Sequence, residues 1–137
     1  MNTITKTPFY IRRFIQRGKR GYANCDTWNF CYYLSDVIGK GTRHLKRQLN
    51  GHPDSLTEGQ WVDTLNSIAN TFDIARNIIN GDLYLIEDED DRKKWAKNLK
   101  KINKKYKDNA RCMTDTEIRE FNRGWRLFKE YFFSLWD

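Results

Sequence analysis

The sequence predicts an all-α protein, a compact bundle or orthogonal array of about five helices. Three observations carry this. Only two prolines occur in 137 residues. Apolar residues recur with a period near 3.6 along most of the chain. Two Thr-x-x-Glu/Gln patterns mark helix starts. The length fits one helical domain spanning residues 1–137. Aromatic residues make up 15% of the chain, so ring surface has to fill much of the core.

Thr7-Pro8 reads as an N-cap followed by a first helical residue. Phe9, Tyr10, Ile11, Phe14 and Ile15 then line a short helix that stops near Gly18, and GKRGYAN forms a loop. Asp26 is a suitable N-cap for a second, long helix. Its apolar stripe is Cys31, Leu34, Ile38, Leu45 and Leu49, with Gly39 and Gly41 marking close packing or a kink. Asn50-Gly51 stops it. The capping box Thr57-Glu58-Gly59-Gln60 opens a third helix carrying Trp61, Leu65, Ile68, Phe72, Ala75 and Ile79. The run Leu83 to Ile86 reads as a packed connector, with a strand as the alternative. The acids Glu87 to Asp91 open a fourth helix, Arg92 to Arg111, with Trp95, Leu99, Ile102 and Tyr106 as its stripe. Acids at its start and lysines after them suit the helix dipole. A second capping box, Thr114 to Glu117, opens the last helix.

The net charge is +7, and it is unevenly distributed. Residues 1–50 hold ten Lys/Arg against Asp26 and Asp36, and residues 92–111 hold ten against Asp108 alone. Such blocks favour anionic partners. Chemistry for catalysis is scarce: no P-loop, dinucleotide-binding or H-E-x-x-H pattern occurs, and His44 and His52 are the only histidines. A non-enzymatic protein without metal or cofactor is expected. Cys25, Cys31 and Cys112 are an odd number without regular spacing, which points away from a disulfide framework and towards a reducing cytoplasm. No long apolar run or secretory leader occurs, so no membrane partner is expected.

The densest candidate site is the stretch from Arg12 to Tyr33. Arg12, Arg13, Arg17, Lys19 and Arg20 would supply phosphate contacts, because guanidinium groups bind phosphate with a flat fork. Tyr22, Trp28 and Tyr33 would stack on a base, and Arg43 and Arg47 would extend the positive wall. Forked donors beside rings are what a nucleotide requires, and single-stranded nucleic acid asks for the same parts. The lysines from Lys93 to Lys105 offer a second basic surface for nucleic acid or a host protein.

The segments DTWNFCYYL and RHLKRQLNGHPDSLTEGQW, with a later I-x-x-x-F, resemble a set of small, mostly uncharacterised proteins of tailed bacteriophages. That pattern has an Arg/Gly/aromatic segment, D-T-W (Asp26-Thr27-Trp28), a long helix ending in basic residues, and G-x-P-x-x-L-T-x-x-x-W from Gly51 to Trp61. It covers residues 12–75. The chain departs from it at Cys31, where the family carries an acid, and at His52, where it carries an aromatic. The resemblance implies a phage origin and a small accessory role in the host bacterial cytoplasm. An anti-defence protein that sequesters a cyclic or linear nucleotide signal, as a homo-oligomer, is the leading expectation. An interaction module using the basic helices, or a structural phage protein without a small ligand, are the alternatives.

Overall fold

The computed structural model describes residues 8–136. The fold is all-α, with five α-helices and one pair of two-residue strands among those residues. The helices are α1 (Phe9–Arg20), α2 (Phe30–Gln48), α3 (Glu58–Ile79), α4 (Glu89–Tyr106) and α5 (Asp115–Tyr131). Strand β1 (Leu83–Tyr84) precedes α4 and β2 (Arg111–Cys112) follows it. Backbone contacts divide the chain into an amino-terminal unit up to Leu34 and a carboxy-terminal unit from Ser35.

In the amino-terminal unit, Thr7 lies outside the described residues, and Pro8 stands at the cap position rather than inside the helix. Helix α1 does not stop near Gly18. It continues to Arg20 and ends where Gly21 takes the left-handed conformation, φ 83°, which glycine adopts without a Cβ clash. Asp26 does not cap a long helix either. It lies inside a 3₁₀ helix, Asn24–Asn29, and its carboxylate accepts from the Ala23 backbone N–H at 2.7 Å. The side chain thus closes the 3₁₀ turn from within, and the long helix begins four residues later.

The carboxy-terminal unit is organised on α3. The predicted capping box closes it: Gln60 N donates to Thr57 Oγ1 at 3.2 Å, and Thr57 N to Gln60 Oε1 at 2.9 Å. Trp61, Leu65, Ile68, Phe72 and Ala75 are buried along it. Ile68 and Phe72 pack with Leu127 of α5, while Ala75 joins Met113, Ile118 and Phe121. The two helices approach closely at Gly124, where an added Cβ would lie 2.7 Å from the Ser67 carbonyl oxygen. That approach depends on the missing side chain.

Helix α2 differs from its predicted stripe. Cys31 and Leu34 are exposed, and the buried positions are Ser35, Gly39 and Thr42. Small residues let the backbone come close to α3: a Cβ on Gly39 would sit 3.6 Å from Phe72 Cβ. The charged residues beside them then reach α3. Arg76 donates to Asp36 and to Asp73, each at 2.6 Å, Lys40 pairs with Asp36 at 2.7 Å, and Arg43 closes the chain of charges on Asp73.

Helix α4 ends at Tyr106 rather than Arg111. Lys107 turns left-handed, and Arg111–Cys112 leaves the helix to pair in parallel with Leu83–Tyr84. A parallel pair needs a long crossover, and α4 is that crossover. Asn103 Nδ2 donates to the Ala110 carbonyl at 2.8 Å and Arg92 pairs with Asp115 at 2.7 Å, fixing both ends of the helix. The second capping box holds α5: Glu117 N donates to Thr114 Oγ1 at 3.3 Å. Among the described residues no helix is long and apolar enough to cross a membrane.

Candidate anion-binding site

The Arg12–Tyr33 cluster folds largely on itself. Arg17 forks onto Asp26, Nε to Oδ2 at 2.9 Å and a terminal nitrogen to Oδ1 at 2.6 Å. Asp26 is buried while Arg17 is half exposed. The donated hydrogen bonds from Arg17 lower the Asp26 carboxyl to about 2, against the opposing effect of its burial, with the Ala23 N–H adding to the lowering. The same contact raises Arg17. A guanidinium so matched is part of the scaffold and has little charge left for a ligand.

Arg20 is held by neutral acceptors. Its Nε donates to the Tyr22 carbonyl at 3.0 Å, a terminal nitrogen donates to Asn24 Oδ1, and the guanidinium lies 4.6 Å over the Tyr22 ring. Tyr33 donates its hydroxyl to the Gly21 carbonyl at 2.5 Å and stacks on Phe30 with centroids 6.3 Å apart. Arg13 lies 3.7 Å over the Phe9 ring, with its enclosed Nε lacking a hydrogen-bond partner. In the carboxy-terminal unit, Arg43 is bound to Asp73. Of the seven predicted cations, Arg12, Lys19 and Arg47 have no hydrogen bond, ion pair or ring contact from their side chains among the described residues, and the Trp28 ring is 89% exposed.

The lysine helix presents the opposite arrangement. At about 100° per residue, Lys97, Lys100, Lys101 and Lys104 fall within an arc of about 100°. Trp95, Leu99, Ile102 and Tyr106 occupy the far side. Leu99 is buried, and Trp95 stacks on Tyr84 at 5.7 Å, so the apolar side is the one held against the protein. The acidic run neutralises only the first lysines: Glu89 pairs with Lys93 at 3.0 Å and Asp91 with Lys94 at 3.5 Å, while Asp88 caps the helix. The four lysines beyond them are exposed and have no acidic partner among the described residues. Over their span of about 10 Å they form a field of point charges without forks or rings.

Two hollows of the carboxy-terminal unit suit an anion poorly. One of about 520 Å³, between α2 and α5, is lined by Ile38, Leu45, Phe128 and Leu135, with His44 at its edge and no guanidinium or ammonium. The other, about 480 Å³, has Arg92, Lys93 and Arg111 in its wall. Each of those cations is already matched, by Asp115, Glu89 and Glu117 respectively. The Arg111 fork holds the Glu117 carboxyl down to about 2. Among the described residues no group of three or more His, Cys, Asp or Glu is placed to hold a metal ion. The three thiols are unbridged.

Sequence reading located both basic segments but could not rank them. The acceptors that occupy Arg17, Arg20 and Arg43 are nine, two to four, and thirty residues away. Asp26 was visible as an acid beside the cluster, and its pairing with Arg17 was the available signal. No protein-family model, curated protein or solved structure matches the chain.

Proposed function

We propose that this protein is a non-catalytic binding protein for phosphodiester polyanions, with the lysine face of α4 as its contact surface. The observation that carries this is the set of four exposed ammonium groups, Lys97, Lys100, Lys101 and Lys104, without acidic partners among the described residues, on one side of a helix anchored by its other side. Duplex DNA carries one charge per about 1.7 Å of axis, so the four lysines face several phosphates at once. Lysine contacts of this kind position a backbone and do not read base edges. Binding is therefore independent of base sequence and weakens steeply with salt. The resemblance to small tailed-phage proteins supports an accessory role in the host bacterial cytoplasm. Fluorescence anisotropy with labelled DNA and RNA duplexes of unrelated sequence tests the reading. All should bind alike, and reversal of the four lysines to glutamate should remove the binding. A preference for one sequence, or binding that survives the reversal, contradicts it.

A second reading rests on Trp28. An indole exposed to 89% in a basic unit offers a stacking platform for a nucleotide, with Arg12 and Lys19 as the uncommitted cations. On this reading the chain sequesters a cyclic or linear nucleotide, as an anti-defence protein does. A ligand that binds only the folded state raises the melting temperature. A nucleotide panel that shifts the wild type but not Trp28→Ala supports this second reading. No shift with any member removes it.

A further inference from the structure

We propose that α1 docks, apolar side down, on the interfacial layer of an anionic membrane. Tyr10, Phe14, Ile11 and Ile15 fall within an arc of about 140° on this helix. None is buried: Phe14 is 78% and Tyr10 71% exposed. The whole helix has no buried residue. Exposed singly such side chains are ordinary, but a contiguous apolar face rimmed by polar groups marks an interaction surface.

The rim names the partner. Arg12 and Lys19, exposed and without an acidic partner among the described residues, border the arc beyond Ile15. The helix has five basic residues and no acid. A second copy of the same helix would bring cations against cations, whereas a layer of anionic headgroups complements them. A short helix with a cationic polar face, low overall hydrophobicity and aromatic and branched residues on the other face lies in the plane of such an interface. Its long basic side chains reach up to the headgroups while the rings enter the acyl boundary. The internal contacts fit this geometry. Gln16, Arg17 and Arg20 tie the polar side of α1 to the 3₁₀ segment, Gln16 Oε1 accepting from Asn24 N at 3.0 Å. This is surface association, separate from the lysine face of α4.

Flotation of the full chain with lipid vesicles tests the proposal. Vesicles of phosphatidylcholine with one-third phosphatidylglycerol should carry the protein, and pure phosphatidylcholine should carry far less. Phe14→Ser, at an exposed site and so without effect on folding, should weaken the partition about tenfold. The four-lysine reversal on α4 should leave most of it. Absence of flotation with anionic vesicles overturns the proposal. Flotation unchanged by Phe14→Ser overturns it too, because charge alone would then suffice. A dimer in lipid-free solution that Phe14→Ser dissolves assigns the face to a second copy instead, and also overturns it.

Discussion

In α1 two of the four arginines turn onto acceptors of their own unit, Arg17 onto Asp26 and Arg20 onto Asn24 and the Tyr22 carbonyl, and the apolar residues are left outside. In α4 the apolar residues Leu99 and Trp95 turn towards the protein, and the lysines are left outside. Both helices are basic and amphipathic in sequence. What separates them is where an acceptor lies within reach. Asp26 neutralises Arg17 and neutral acceptors hold Arg20, while Arg12 and Lys19 keep their charge. The acids of α4 are confined to its first turn and reach only Lys93 and Lys94. A count of positive charge is therefore a poor guide to a binding surface, and the count of unmatched positive charge is a better one.

The comparison can be strained at four points. Leu99→Ala should be the most costly, destabilising by about 2–5 kcal/mol in denaturant melts, since Leu99 is the buried anchor of α4. A loss below about 1 kcal/mol would mean that the strand pair alone holds that helix. Asp26→Asn should cost about 1 kcal/mol, a figure kept small because Arg17 is half exposed. Its effect should be read as faster amide exchange in residues 9–29. Acid should mimic it. The Asp26 carboxyl sits at about 2 when folded against 3.8 ordinarily. It therefore stabilises the folded state above pH about 4, and this contribution disappears as the pH falls through about 2. Protection of the Ala23 amide should decline over that window in the wild type and not in Asp26→Asn. Smallest of all, Phe14→Ala should change stability by less than about 0.5 kcal/mol, because the ring is 78% exposed.

Much of the framework was legible because it rests on short-range rules. The capping boxes at Thr57 and Thr114 and the stripe of α3 from Trp61 to Ala75 each depend on residues within a turn or two. The departures came where a tertiary partner decides. Gly18 did not end α1, since glycine tolerates a helix interior at modest cost and Gly21 supplied the turn. Cys31 and Leu34 lost their place in the core because Ser35, Gly39 and Thr42 allow a closer approach to α3. Arg111 and Cys112 left the lysine helix because their backbone pairs with Leu83 and Tyr84, a contact that periodicity cannot register. For the candidate site, the basic segments were readable and their occupancy was not. Arg43 and Arg47 read as one positive wall, yet Arg43 is committed to Asp73 and only Arg47 has no pair among the described residues.

The salt dependence of duplex binding tests the central claim most directly. Measured by anisotropy between low and physiological salt, the logarithm of affinity should fall linearly with the logarithm of salt concentration. Replacing Lys97, Lys100, Lys101 and Lys104 with glutamine should flatten that slope by about four and weaken binding on the order of a hundredfold. Replacing Arg12 and Lys19 of α1 in the same way should change the slope by less than about one. An unchanged slope in the four-lysine variant, or a steeper loss from the α1 substitutions, would contradict the assignment of the polyanion surface to α4.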